Sequence, residues 1–133
     1  MELTKEKLVR DVMEGGVITA SFDTPVSEIA KKLVERDVSA VAVTAPDDEV
    51  VGVISEIDIM KVFDKNWDTL TAEDIMSSSV RTIDPEARIK KAADVMGDLN
   101  IHRLLILSLK PAYGVPIGLL TPRDILRAVV QSQ

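Results

Sequence analysis

Two short motifs in the sequence place a carboxylate three residues after a hydroxyl, Ser55-x-x-Asp58 and Thr121-x-x-Asp124. Each follows an apolar β-branched run and precedes an amphipathic stretch, which predicts a strand turning into a helix. One interpretation is a helix N-cap, in which the hydroxyl accepts a backbone N–H and the acid lies near the positive end of the helix dipole. The other is a binding site, because a short carboxylate can accept both hydroxyls of a ribose and the helix start can face a phosphate. Both motifs have Asp where a reciprocal cap commonly has Glu or Gln, which favours binding.

A third candidate is the only histidine, His102, which is followed directly by Arg103 at the start of an apolar run. A guanidinium offers paired N–H donors to phosphate oxygens, and such charge-assisted bonds contribute about 1.5–3 kcal/mol each. The alternative is a structural histidine beside a solvated arginine. The equivalent positions in the first half of the chain, Ser39 and Ala40, carry no charge, so the two halves are expected to differ in ligand preference.

The elements that must position these residues occur twice along the chain. A shift of 63 residues aligns Asp11-Val12-Met13 with Asp74-Ile75-Met76, and a shift of 66 residues aligns Ser55 with Thr121. The difference predicts a three-residue insertion within Ser108–Pro116. Such an insertion is tolerated because the entropy of loop closure grows slowly with length.

Each repeat is predicted to have the order β-α-β-β-α, because short β-branched runs alternate with amphipathic stretches. The predicted strands are Val17–Ala20, Ala40–Thr44 and Val50–Ser55, then Val80–Ile83, Leu104–Leu107 and Val115–Leu120. The predicted helices begin after Asp23-Thr24-Pro25 and at Ser55, then span Pro85–Leu99 and Thr121–Val130, with lead-in helices at Lys5–Met13 and Ala72–Met76. Four methionines are predicted to fill gaps in the core: Met13, Met60, Met76 and Met96.

The predicted fold class is α+β, with residues 1–66 as the first unit and its lead-in helix, and residues 67–133 as the second unit with a linker. A unit of this size is marginal alone. We therefore expect the two units to pack sheet to sheet about a pseudo-twofold axis, with two related clefts between them.

Composition excludes several classes of function. The chain has 16 Lys and Arg against 22 Asp and Glu, a net charge of −6, which is unlike the basic surface of a nucleic-acid binder. With no cysteine and one histidine, disulfides, thiolate sites and multi-histidine metal centres are excluded. No phosphate loop, dinucleotide-binding glycine turn or nucleophile elbow is present, so no enzymatic activity is expected. The charged residues 1–10 and the lack of a long apolar run predict a cytoplasmic protein with no membrane partner.

Four segments together resemble a tandem pair of cystathionine β-synthase (CBS) domains, also called a Bateman module. They are Val9-Arg10-Asp11-Val12-Met13, Glu73-Asp74-Ile75-Met76, Gly52-Val53-Ile54-Ser55-Glu56-Ile57-Asp58-Ile59 and Gly118-Leu119-Leu120-Thr121-Pro122-Arg123-Asp124-Ile125. The stretch at His102-Arg103 is similar to that of the CBS pairs in the gamma subunit of AMP-activated protein kinase. This resemblance implies a non-catalytic module that binds adenosine-containing ligands between its units and forms a homodimer.

The resemblance also implies two ligand-binding clefts. Cleft A would combine Val53, Ser55, Asp58, Val80, Arg81, Ile101, His102 and Arg103. Cleft B would combine Ile18, Thr19, Val38, Ser39, Leu119, Thr121 and Asp124. Arg81 stands where the family commonly has an apolar residue, so its role is open, and cleft A is expected to prefer a phosphorylated ligand.

The resemblance thus implies a regulatory, ligand-sensing module that needs no cofactor and responds to AMP, ADP or ATP, with S-adenosylmethionine or NAD less favoured. A partner protein acting in trans or a dimer mate would receive the signal. The final helix, from Thr121 to Gln133 with Leu126, Val129 and Val130, is expected to contribute to a dimer face. The alternative is a CBS pair that serves only as a dimerisation or docking scaffold, with empty clefts.

Overall fold

A computed structural model of the chain describes residues 6–15, 17–108 and 115–131. Most of the insertion predicted within Ser108–Pro116 lies outside these residues, as do Lys5 of the predicted lead-in helix and residues 132–133 of the predicted final helix. In chain order the elements are α1 (Val9–Val12), β1 (Glu14–Gly15), β2 (Thr19–Ser21), α2 (Val26–Glu35), β3 (Ala40–Thr44), β4 (Val50–Ser55), α3 (Glu56–Met60), α4 (Ala72–Ile75), β5 (Thr82–Ile83), α5 (Ile89–Leu99), β6 (Leu104–Ser108), β7 (Val115–Leu120) and α6 (Pro122–Gln131).

The chain divides into two units. The first-repeat unit comprises Ile18–Val80 and contains a three-stranded sheet in the order β2-β3-β4. The second-repeat unit comprises Met1–Val17 with Arg81–Gln133 and contains a four-stranded sheet in the order β1-β7-β6-β5. Each sheet has one parallel pair, β2 with β3 or β5 with β6, followed by an antiparallel hairpin. The predicted α+β class and the β-α-β-β-α order of the repeats are confirmed.

The core of the first-repeat unit forms where helix α2 covers the sheet. Val26, Ile29 and Leu33 recur at helical spacing and are buried in one cluster with Val41 and Ile54. Burying each such side chain contributes about 1.5–3 kcal/mol. The unit therefore depends on the apolar stripe that the sequence pattern indicated.

The second-repeat unit has an equivalent core with one addition from far away in sequence. Val9 of helix α1 is fully buried and clusters with Leu104 and Leu120. Conversely, Ala72 of helix α4 is buried in the core of the first-repeat unit. The predicted boundary between residues 66 and 67 follows the sequence repeat. In the structure, however, the lead-in helix of each repeat packs in the core of the other repeat.

Some predicted boundaries are wrong for local reasons. Helix α5 begins at Ile89 instead of near Pro85, because Asp84 accepts the backbone N–H groups of Glu86 and Ala87 in a turn. Helix α3 ends at Met60, and that side chain is 52% exposed instead of filling the core. By contrast, helix α2 begins directly after Pro25, as predicted, and Pro25 caps it without any side-chain hydrogen bond.

The linker between the repeats is held to the first-repeat unit by Trp67. Its indole Nε1 donates a hydrogen bond to the Val62 carbonyl at 2.9 Å, and its ring meets that of Phe63 edge to face with centroids 6.2 Å apart. Trp67 also packs against the core of this unit. Among the residues that the structure describes, no helix has the length and apolar character needed to cross a membrane.

Candidate functional site

The motif Ser55-x-x-Asp58 forms a closed cap at the start of helix α3. The backbone N–H of Ser55 donates to Asp58 Oδ2 at 2.8 Å, and the Ser55 hydroxyl donates to the same oxygen at 3.0 Å. Both bonds end on Oδ2, so the cap leaves Asp58 Oδ1 as an acceptor for another group. Both side chains are half-buried where β4 turns into α3.

The motif Thr121-x-x-Asp124 has the same cap but a different environment. Thr121 donates to Asp124 Oδ2 through its backbone N–H at 2.9 Å and its hydroxyl at 3.1 Å. Asp124 is only 6% exposed, and its Oδ1 lies 3.4 Å from an Arg127 guanidinium nitrogen. It lines a pocket of about 210 Å³ together with Lys7 and Asp11, among others. The charge of Asp124 is therefore offset within its own unit.

A third cap of the same geometry, not predicted from the sequence, lies at Thr71 and Asp74. Thr71 donates to Asp74 Oδ2 through its backbone N–H at 2.9 Å and its hydroxyl at 3.1 Å, at the start of helix α4. Its signal, Thr-x-x-Asp, is the same as in the other two motifs. Asp in place of Glu therefore does not by itself favour binding, because the short carboxylate closes all three caps.

In the first-repeat unit, several predicted site residues lie close to the Ser55 cap. The Ser39 carbonyl accepts the backbone N–H of Glu56 at 3.3 Å, which places it next to the start of α3. Val53 exchanges two backbone hydrogen bonds with Ser77, at 3.0 and 2.9 Å. The same unit contains four other predicted residues, Ile18, Thr19, Val38 and Val80.

The backbone of Ile18 and Thr19 is anchored at the start of β2. The Ile18 carbonyl accepts the backbone N–H of Ala42 at 3.0 Å, and the Thr19 carbonyl accepts Lys32 Nζ at 3.0 Å. Thr19 is exposed, whereas Ile18 and Val38 pack against the core of the unit. These two apolar residues therefore have a structural role whether or not they contact a ligand.

In the second-repeat unit, strand pairing gathers the predicted phosphate-binding residues at one end of the sheet. Leu105 donates its backbone N–H to the Arg81 carbonyl at 2.9 Å, so Arg81 lies beside the start of β6. Leu104 pairs with Leu120, which puts Arg103 next to Thr121 at the sheet end. His102 and Arg81 are exposed and Arg103 is half-buried.

The structure thus assigns the predicted residues of each cleft to two different units. Arg81, Ile101, His102 and Arg103 belong to the same unit as Leu119, Thr121 and Asp124. The remaining predicted residues belong to the first-repeat unit. The cross-unit combinations named cleft A and cleft B stay predictions. Within the described ranges, no three His, Asp or Glu side chains come together in a way that could hold a metal ion.

Comparison with known families gives an independent test of the repeat. A family model of the CBS domain matches residues 9–65 and again residues 72–131. The chain belongs to the CBS domain family. The two matches cover both repeats, so the protein contains a tandem CBS pair, as its resemblance to the family implied.

Relatives of this CBS pair include an uncharacterized protein, MK0525, from Methanopyrus kandleri. It is 36% identical over 122 residues, which is 90% of this chain and 61% of MK0525. The chain therefore spans less than two thirds of the length of this relative.

Solved structures of CBS pairs share the fold. The CBS domain of a CBS domain-containing membrane protein from Sphaerobacter thermophilus gives a TM-score of 0.84 at 24% identity, covering 96% of this chain and 90% of that one. The CBS domain pair of protein MJ0100, solved with 5′-methylthioadenosine and S-adenosyl-L-methionine, gives a TM-score of 0.83 at 26% identity, covering 96% of this chain and 98% of that one.

Proposed function

We propose that this CBS pair is a regulatory module that binds an adenosine-containing ligand and changes conformation on binding. The observation that carries the proposal is the Ser55 cap, whose two hydrogen bonds occupy Asp58 Oδ2 and leave Oδ1 for a ribose hydroxyl. The ligands of the MJ0100 CBS pair, both of which contain adenosine, support the same ligand class. No catalytic step is part of the proposal. The ligand shifts the module toward one conformation because it binds that conformation with higher affinity than the other.

Asp58 is a better candidate than Asp124 for the ribose. Asp124 has both carboxylate oxygens engaged, Oδ2 in the cap and Oδ1 beside Arg127, and its side chain is nine-tenths buried. A ligand at Asp124 would have to displace Arg127, whereas one at Asp58 would not break the cap. We therefore propose that cleft A, which contains Asp58, is the principal site and that cleft B binds more weakly.

The phosphate preference of cleft A would come from the second-repeat unit. Arg81 and Arg103 flank neighbouring parallel strands, and His102 adds a third donor at the same end of the sheet. Three donors of this kind favour AMP, ADP or ATP over S-adenosylmethionine or 5′-methylthioadenosine, which lack phosphate. The proposal that this chain binds nucleotides thus rests on side chains of its own that can donate hydrogen bonds to phosphate.

Replacing Arg103 by alanine is expected to weaken the binding of AMP and ATP about tenfold and to leave the affinity for 5′-methylthioadenosine unchanged. The reason is the loss of one charge-assisted hydrogen bond to a phosphate oxygen. Titration calorimetry measures both affinities. Arg36→Ala, which removes an exposed arginine just after α2 in the first-repeat unit, is the matched control. An equal loss of affinity for the nucleotides and for 5′-methylthioadenosine would contradict phosphate recognition by Arg103.

The alternative function, a scaffold with empty clefts, is separated from ligand sensing by thermal unfolding. A ligand present at about 100 times its dissociation constant stabilises the folded chain by about 2.7 kcal/mol. We expect at least one of AMP, ADP, ATP, NAD, S-adenosylmethionine and 5′-methylthioadenosine to raise the melting temperature, with guanosine 5′-monophosphate as control. If none does, the scaffold is the better account.

The output of the module is proposed to pass to a second copy or to a partner protein in the cytoplasm. Apolar side chains on or just after the helices of both units favour self-association, because these are all exposed: Val34, Ile57, Met60, Phe63, Leu99, Leu126 and Val130. Exposed large apolar side chains on neighbouring helix positions are typical of interaction surfaces.

A further inference from the structure

The second-repeat unit contains a pocket between the end of helix α5 and the start of helix α6. Its volume is about 330 Å³, within the range of about 300–1,000 Å³ that is typical of small-molecule sites. Gly97 contributes no side chain to it, and a Cβ atom at this position would have no heavy atom within 4 Å. The apolar part of the lining comes from Ala93, Met96, Ile101, Pro122, Ile125 and Leu126. We call this feature the Gly97 pocket.

Two polar side chains, Asn100 and His102, complete the lining of the Gly97 pocket. The Asn100 amide and the His102 imidazole can each donate an N–H hydrogen bond to a ligand. Among the described residues that line the pocket, none is acidic. Because both donors are exposed, an anion bound to them would keep part of its hydration and avoid the full cost of desolvation. The pocket thus offers space for an apolar group beside donors suited to an anion.

The first repeat shows which features of the Gly97 pocket are particular to the second repeat. At five of the lining positions the residues of both repeats are apolar. At the other four positions the repeats differ in size or charge, with the first-repeat residue given first: Val34 and Gly97, Asp37 and Asn100, Ser39 and His102, Glu56 and Pro122. One difference removes a side chain, two remove a carboxylate and one adds an imidazole. Each of them either enlarges the space or makes it more favourable for a negative charge.

We infer that the Gly97 pocket binds a small carboxylate with an apolar tail. The tail lies beside Gly97, where its apolar surface is removed from water, and the carboxylate accepts hydrogen bonds from Asn100 and His102. An apolar cavity of about 150 Å³ holds one benzene, so the Gly97 pocket has space for about a dozen non-hydrogen atoms. The site uses residues of the second-repeat unit alone, and it does not depend on the ligand proposed for Asp58.

Octanoate is a suitable probe because its tail and carboxylate fit this volume, and octylammonium carries the opposite charge on a similar tail. Saturation-transfer NMR titration of the full chain measures both affinities. We expect octanoate to bind saturably and octylammonium to bind about fivefold more weakly, because no acidic side chain among the described lining residues would pair with it. Equal affinities for the two compounds, or no saturable binding of octanoate, would overturn the proposal.

Gly97→Val tests the place of the tail by introducing the residue of the first repeat. The variant is expected to fold, since the Cβ position is open and Val34 occupies the equivalent place in helix α2. Filling the space is expected to weaken octanoate binding about tenfold. Gly97→Ala, which adds only one methyl group, is the matched control and is expected to stay within about threefold of the natural affinity. Unchanged octanoate binding in Gly97→Val would overturn the proposal.

Asn100→Asp tests the place of the carboxylate in the same way. Asn100 and Asp37 both have a φ of 53°, so aspartate is compatible with this left-handed backbone position. Replacing a donor by a negative charge is expected to weaken octanoate binding about fivefold and not to weaken octylammonium binding. His102 is left unchanged because it is also a predicted residue of cleft A. An unaltered affinity for octanoate in Asn100→Asp would contradict the placement of the carboxylate.

Sedimentation equilibrium of the natural chain and Gly97→Val identifies a different occupant of the pocket. A change in oligomeric state without octanoate binding would assign the pocket to a second copy of the chain and would overturn the proposal. Binding of octanoate by a chain that binds no adenosine compound would uphold this site and contradict only the function proposed for Asp58.

Discussion

Alanine at Gly52 is expected to lower the free energy of unfolding by about 1–3 kcal/mol, whereas alanine at Gly97 is expected to raise it by about 0.5–1 kcal/mol. Gly52 lies in β4, directly under the segment that follows helix α4. A Cβ atom there would be 2.6 Å from Met76 Sδ and 2.9 Å from the Ser77 carbonyl oxygen. Met76 can move, but the Ser77 backbone cannot do so without losing its two hydrogen bonds to Val53.

Gly97 is the matched control because its Cβ position is open and it lies inside helix α5. There alanine only reduces the entropy lost on folding. Urea unfolding followed by circular dichroism measures both variants. Equal effects, or a stabilised Gly52→Ala, would contradict the close approach of the lead-in segment to β4.

Gly118 is the repeat equivalent of Gly52 and makes the same kind of contact with Met13. A Cβ atom at Gly118 would be 2.6 Å from Met13 Sδ and 3.0 Å from the Glu14 carbonyl oxygen. A methionine thus lies over a strand glycine in both units. The repeat of the contact indicates that the glycines are needed for the exchanged lead-in segments to pack.

The hairpin strands could be predicted from sequence because their runs are short, β-branched and bounded by turn residues. Ala40–Thr44, Val50–Ser55 and Val115–Leu120 agree with the structure residue for residue. The exchange of the lead-in helices could not be predicted. Val9 and Ala72 are both apolar, and the residues around each of them in the sequence do not indicate which of the two cores it packs into.

The candidate site was only partly predictable. The hydroxyl and carboxylate spacing identified two caps correctly, but the same spacing at Thr71 and Asp74 shows that the pattern alone does not separate a cap from a binding site. The different environments of Asp58 and Asp124 depend on Arg127, one helical turn further along. Such differences come from side-chain packing, which the sequence pattern does not contain.

Replacing Asp58 by alanine is expected to weaken the binding of an adenosine-containing ligand ten- to a hundredfold. Hydrogen bonds from a ribose to a carboxylate contribute about 1.5–3 kcal/mol each, and one such bond alone accounts for a change of this size. The same substitution also removes the cap of α3, which costs about 0.5–2 kcal/mol of stability. A loss of binding could therefore be confused with a loss of folding.

Asp74→Ala separates the two effects, because it removes a cap with hydrogen bonds of nearly the same length as those of Asp58. It lies at the start of α4, where no ligand contact is proposed. If capping alone were responsible, the two variants would lose stability and affinity alike. If Asp58 binds the ribose, only Asp58→Ala loses affinity at equal stability.

The most direct test is an isothermal titration of AMP and of S-adenosylmethionine into the natural chain, Asp58→Ala and Asp74→Ala, at one temperature and salt concentration. We predict saturable binding of at least one of these compounds to the natural chain and to Asp74→Ala, with affinity at least tenfold lower in Asp58→Ala. Equal affinities in all three proteins would contradict a ribose site at Asp58, and the absence of any heat of binding would contradict an adenosine-binding function.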